Sequence, residues 1–186
     1  MAIRIDGRRV LITGAAAGIG RVMAKTFMDA GARVHVCDVD ESAIAEALRL
    51  LPGLSASKAD VSSEGDVERL FADVRRELGG LDCLINNAGT AGPTAAVEDV
   101  QREDWDRCMA VCMTSQFLCT REAVPMLKEA GRGSIVNISS AAGRYGFAMR
   151  SPYAAAKFAV IGFTKSISIE LGKHDINVNA IQPGLV

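Results

Sequence analysis

The chain has 186 residues, 49% of them apolar, and a mean hydropathy of +0.18, enough to bury one substantial core and without the composition shift that marks a second. Its 21 Lys and Arg against 22 Asp and Glu leave a formal charge of −1, which excludes the basic field that nucleic acid or an anionic membrane surface would need. The opening MAIRIDGRR is charged, and no apolar run approaches the roughly 18 residues that span a bilayer. The expectation is therefore a single cytoplasmic domain, residues 1–186, with five reduced cysteines rather than a disulfide framework.

Taken in chain order, a strand at 9–13 (RVLIT) runs into TGAAAGIG, Thr13 to Gly20, which opens a helix over 19–30. A second strand at 32–37 (ARVHVC) is closed by Asp38, and a helix at 41–51, a weaker strand at 54–59 and a helix at 64–78 follow. The remaining strands fall at 81–87 (LDCLINN), 133–139 (GSIVNIS) and 176–181 (INVNAI), separated by helical periodicity over 102–130 and 152–172. Strands that are apolar on both faces and alternate with helices predict an α/β fold, a doubly wound parallel sheet with helices on each side. Six strands in the order 3-2-1-4-5-6 are expected, with Cys37 and Cys83 in the core.

The turn after the first strand carries glycines at 14, 18 and 20. Glycine permits a positive φ, lets the backbone approach a pyrophosphate, and leaves that phosphate facing the positive end of the helix. Asp38 ends the second strand about 20 residues beyond, where a carboxylate accepts from ribose hydroxyls and repels a 2′-phosphate. That favours NAD over NADP; the alternative is that Asp38 only caps the next helix.

In SPYAAAKFAV, Tyr153 and Lys157 stand four residues apart, on one face of a helix. A phenol, with an ordinary pKa of about 10, is a poor acid–base at neutral pH, and a neighbouring ammonium favours its charged form. Proton transfer by tyrosine then becomes usable.

With TGAAAGIG, ADV at 59–61, NNAG at 86–89, VNISS at 136–140, YAAAK at 153–157 and VNAIQPG at 178–184 in that order, the whole chain resembles a classical short-chain dehydrogenase/reductase of Rossmann fold. The resemblance implies Tyr153 as general acid–base, Lys157 as its partner on the nicotinamide ribose, and Ser140 rather than Ser139 as the serine that meets the reacting oxygen. It implies further that Gly14, Ala17, Gly18, Ile19 and Gly20 line the cofactor. Asp60 and Val61 would border the adenine, Asn87, Ala88 and Gly89 the ribose, and Pro183 and Gly184 the nicotinamide. Asn86 reads equally as a site residue or as a structural pin between strands. Arg144, Tyr145 and Arg150 read first as surface residues, with contact to a polar or acidic substrate as the other reading. No metal is called for. Family members continue beyond the point where this sequence stops, so the chain is expected to lack their C-terminal lid and seventh strand.

The stretch DRCMAVCMTSQFLCT holds three cysteines. At about 100° per residue, Trp105, Cys108, Cys112 and Cys119 form one stripe, expected to face inward. Cys108 and Cys119 lie about 16 Å apart along the axis, too far for a shared zinc, whose sulfurs sit about 4–5 Å apart. Cys112 occupies the place where the family pattern V-N-x-T/S has asparagine, and a thiol is expected not to reproduce the paired hydrogen bonds of an amide.

The leading expectation is an NAD-dependent dehydrogenase of a secondary alcohol, polyol or sugar, working as a homo-oligomer. An epimerase or dehydratase on the same scaffold, or a non-catalytic NAD-binding regulator, are the alternatives.

Overall fold

In the computed structural model, which describes residues 5–184, β1 (Arg9–Thr13) leads through α1 (Gly18–Asp29) to β2 (Arg33–Asp38), α2 (Glu41–Leu50) and β3 (Ser55–Lys58). Next come α3 (Glu64–Leu78), β4 (Cys83–Asn86), a 3-10 turn at Val97–Asp99, α4 (Arg102–Met109), a π-helical turn (Ala110–Thr114) and α5 (Ser115–Glu129). The order closes with β5 (Gly133–Ile138), the short α6 (Ala142–Tyr145), α7 (Ser151–Gly172) and β6 (Ile176–Ile181). The strands pair in parallel as β3-β2-β1-β4-β5-β6, the doubly wound order expected. The two ends of the expected 1–186 domain lie outside the described residues.

Successive side chains of a strand point to opposite faces, and β1 shows what that does here. Val10 and Ile12 pack under α1 and α2 with Val34, Val36 and Ala47. Leu11, between them, faces the other way, with Leu84 and Ile135, onto Val67, Leu70 and Leu127 of α3 and α5. Each fully buried Leu or Ile contributes roughly 2 kcal/mol, so the sheet is held from both sides.

β2 also buries a polar group. His35 is shut from solvent, its ring nitrogens 2.8 Å from Ser55 Oγ and 3.0 Å from Ser57 Oγ. Burial pushes its pKa down to about 4 from 6.5, against the pull of Asp73 and Glu77 and with the help of Arg76. The unfolded chain therefore binds this proton first as pH falls, and stability present above pH 6.5 drains away toward pH 4. The loss assigned to His35 is on the order of 3 kcal/mol. Urea unfolding at pH 7 and near pH 4 should show it, and His35→Gln should flatten that slope; an equal slope in the variant would move the effect elsewhere.

The single helix expected over 102–130 is interrupted by the π turn; Cys108, Cys112 and Cys119 are buried as expected, and Trp105 alone departs from the inward stripe. A π turn adds a residue, so faces before and after it no longer line up at 100° steps. Trp105, expected inward, is 37% exposed. Cys108 and Cys112 pack with Ala156 of α7 and Tyr153, whereas Cys119 joins Leu84 and Leu127 in the main core.

Candidate active site

The C-terminal ends of the strands open into two adjoining clefts of about 460 Å³ each, which share Ile19, Asn87, Gly89 and Thr90. Every residue that the resemblance assigns to catalysis or to the cofactor lines one or the other. The first cleft holds Gly14, Ala17, Gly18 and Gly20, with Asp38, Asp60, Val61 and Ala88. The second holds Ser140, Tyr153 and Lys157, with Pro183 and Gly184.

The first cleft is built around the glycine turn. Gly14 sits at φ +59°, and a Cβ there would come within 2.8 Å of Ala88 Cα. A Cβ on Gly20 would meet Ala15 Cα at 2.5 Å, so α1 lies hard against the turn that starts it. Asn87 stitches the turn to the end of β4: its Nδ2 donates to the carbonyls of Thr13 (2.9 Å) and Gly14 (2.8 Å), while Thr13 Oγ1 accepts from Asn87 N and Ala88 N.

A pyrophosphate fits this end of the cleft. Asp40 caps α2 and Ser63 caps α3, but α1 has no side-chain cap and no acidic residue in its first turn, which leaves its positive end for an anion. Asp40 in that role also removes the reading of Asp38 as a mere cap. Asp38 accepts from Val39 N at 2.8 Å and Ala16 N at 3.2 Å, which holds its carboxylate beside the glycine turn at the mouth of the cleft.

Two neighbouring pairs in the sequence are separated by the fold. Asn86 points away from the cleft, its Nδ2 donating to Asn137 Oδ1 (2.9 Å) and Thr120 Oγ1 (3.2 Å) in the core; it is the structural pin. Ser139 is buried and donates to the Lys157 carbonyl at 2.8 Å. Ser140 lines the cleft and accepts from Ala142 N at 3.1 Å, so its hydroxyl proton is left to point outward.

On α7, Tyr153 and Lys157 meet as their spacing predicts, the ammonium 5.6 Å from the centre of the phenol ring. Lys157 is 3% exposed, and its Nζ donates to Ile138 O at 2.8 Å. Burial pushes its pKa below the usual lysine range. The same carbonyl accepts from Gln116 Nε2 at 3.3 Å. No motif marks Gln116; its one sequence trace is an amide within the apolar run of α5. Thr90 and Phe147 also line the second cleft and lie in loops with no periodicity to flag them; of Arg144, Tyr145 and Arg150, only Arg150 lines it.

Cys112 overturns an expectation. Its Sγ accepts from Thr90 N and donates to Thr90 O, both at 3.3 Å, so one thiol makes the paired bonds expected to need an amide. The π turn places this side chain against the loop shared by the clefts. Cys108 beside it is pushed up to about 12 by burial and by Cys112, and so stays a neutral thiol at physiological pH.

The profile of the family described as short chain dehydrogenase matches residues 8–186. The chain is 38% identical over 186 residues to a sorbitol dehydrogenase of Cereibacter sphaeroides, covering 99% of this chain and 72% of that protein. It is 34% identical over 184 residues to an L-fucose dehydrogenase of Bos taurus, covering 99% and 68%. The crystal structure of levodione reductase superposes with a TM-score of 0.94 at 32% identity, over 97% of this chain and 72% of that one.

Proposed function

The chain belongs to the short chain dehydrogenase family, and on that premise we propose that it is an NAD-dependent oxidoreductase that interconverts a hydroxy compound and its ketone. What carries this reading is the convergence of Tyr153, Lys157 and Ser140 on one cleft that adjoins the glycine cradle. Bound nicotinamide would supply the hydride acceptor or donor. In the oxidising direction, Tyr153 Oη takes the proton of the substrate hydroxyl while the carbon-bound hydrogen leaves as hydride; in reduction it gives that proton back. The Ser140 hydroxyl, already accepting from Ala142 N, donates to the same substrate oxygen and stabilises its partial negative charge. The Lys157 ammonium lies over the tyrosine ring, where it would also reach the ribose of a bound nicotinamide nucleotide. Names such as sorbitol dehydrogenase and L-fucose dehydrogenase among the relatives suit a small polyhydroxy substrate.

Asp38 is proposed to set the choice of NAD over NADP, because its carboxylate would lie against a 2′-phosphate. The measurement is reduced-cofactor formation with a panel of secondary alcohols and sugars. NAD should be used at least about tenfold better than NADP, and Asp38→Ala should cut that ratio by about tenfold, or 1.4 kcal/mol. An unchanged ratio would remove Asp38 from cofactor selection.

Among the described residues no helix is long and apolar enough to cross a membrane, and five unpaired cysteines suit a reducing compartment such as the cytoplasm. Phe117 on α5 with Phe158 and Ile169 on α7 are exposed, and self-association through these helices belongs to the same proposal. Sedimentation at micromolar concentration tests it.

A further inference from the structure

The second cleft is lined by two cationic side chains, Lys157 and Arg150, and by no Asp or Glu among the described residues. Lys157 is committed to the Ile138 carbonyl and sits against the tyrosine ring. Arg150 is not committed in the same way. It immediately precedes α7, three residues before Tyr153, and its one hydrogen bond from the side chain runs from Nη1 to Thr94 Oγ1 at 2.7 Å. Its Nε is shut from water without an acceptor. Arg9, Arg75, Arg102 and Arg121 each hold a carboxylate partner, whereas Arg150 has none among the described residues.

The backbone around Arg150 is fixed while its head group lacks an anion. Arg150 N donates to Phe147 O at 3.2 Å, Ala154 N donates to Arg150 O at 2.9 Å, and Ala95 N donates to Met149 O at 3.0 Å. Met149 is held at φ 64°, a conformation that costs a non-glycine residue about 1 kcal/mol or more. A guanidinium with a buried donor left unsatisfied is unfavourable, and an anion against its head group offsets part of that cost. Its planar fork matches a carboxylate better than a neutral hydroxyl.

We propose that Arg150 seats a carboxylate of the substrate, so that the substrates are hydroxy acids and their oxo acids, carrying the acid group a few bonds from the carbon oxidised beside Tyr153. This rests on the dehydrogenase reading of that cleft and narrows it: neutral polyols leave Arg150 without its anion, and hydroxy acids do not. Arg150 and Tyr153 stand three positions apart at the start of one helix, which puts the two groups about one turn apart. That spacing suits a small acid such as a 3-hydroxy acid or an aldonate.

The experiment offers the purified protein, with NAD, matched pairs of a hydroxy acid and its uncharged amide, together with a phosphomonoester of a similar alcohol. The acid should exceed its amide in kcat/KM by on the order of 10- to 100-fold, as a charge-assisted hydrogen bond implies. Arg150→Met should bring the acid-to-amide ratio to about one, chiefly through KM. Thr94→Val, which removes the tether and keeps the cation, should preserve the preference. A readout independent of turnover is the thermal shift given by the oxo acid with NADH present, which should be large in wild type and lost in Arg150→Met. Equal use of acid and amide, preference for the phosphomonoester, or an equal loss for both partners of a pair in Arg150→Met would each overturn the assignment. Failure of the dehydrogenase reading looks different: no compound is oxidised and Tyr153→Phe changes nothing, while the thermal shift still decides whether Arg150 binds a carboxylate.

Discussion

Tyr153→Phe is expected to lower kcat by about 10³- to 10⁴-fold, equivalent to about 4–5 kcal/mol of transition-state stabilisation, with little change in KM or thermal midpoint. The substitution removes one oxygen and keeps the ring, which packs against Cys108, Cys112 and Ala156. The fold therefore loses no apolar contact, and the loss falls on the proton transfer. Ser140 and the cofactor cradle remain, so a small residual rate is expected rather than none. Lys157 keeps its bond to the Ile138 carbonyl and stays placed even when the phenol oxygen is gone. Steady-state kinetics of NADH formation, with far-UV circular dichroism as the check on folding, measures both halves. A variant with wild-type kcat would remove Tyr153 from the reaction.

Gly20→Ala is expected to weaken NADH binding by about 100-fold and to cost roughly 1–3 kcal/mol of stability, the range found when a packed interior is overfilled. A methyl group at this position would meet Ala15 Cα at 2.5 Å and Gly14 O at 2.6 Å. Both are backbone atoms, and Gly14 O is also held by Asn87 Nδ2 at 2.8 Å. Relief therefore requires α1 to swing off the turn, which spoils the anion-binding end of that helix. Gly65→Ala on α3 is the control, since its methyl would find only Arg69 Nη1 at 3.5 Å; it should leave cofactor binding as it is. Fluorescence titration with NADH and denaturant unfolding read the two effects, and equal affinities in the two variants would mean the cradle tolerates the extra carbon.

Much of this architecture was legible before any coordinates. Strands apolar on both faces need helices on each side, so the layers followed from alternation, and the order 3-2-1-4-5-6 is one of the doubly wound orders that pattern admits. The glycine turn and the Tyr153–Lys157 spacing are local features, and local geometry carries over: a turn needing positive φ selects glycine, and residues four apart on a helix share a face.

Other features depended on contacts between distant segments. Ser139 and Ser140 are chemically identical neighbours, and only the approach of α7 makes one a buried donor to Lys157 O and leaves the other facing the cleft. Asn86 and Asn87 divide in the same way between the core and the glycine turn. The π turn at Ala110–Thr114 left no mark in the hydrophobic period; the cysteines on it and before it pack with Ala156, while Cys119 beyond it joins the main core. Cys112 looked like a missing amide until Thr90, 22 residues earlier, was found within reach of its sulfur.

What the sequence by itself determined was the class of fold, the glycine turn after β1 and the pairing of Tyr153 with Lys157 on one helix face, because each depends on residue type and short spacing. What only the tertiary structure decided was that Asn86 turns into the core, which partners hold Lys157 and Cys112, and that Arg150 stands in the cleft without a carboxylate among the described residues. Those outcomes depend on the packing of segments far apart in the chain, where burial and hydrogen-bond satisfaction, not residue identity, choose the role.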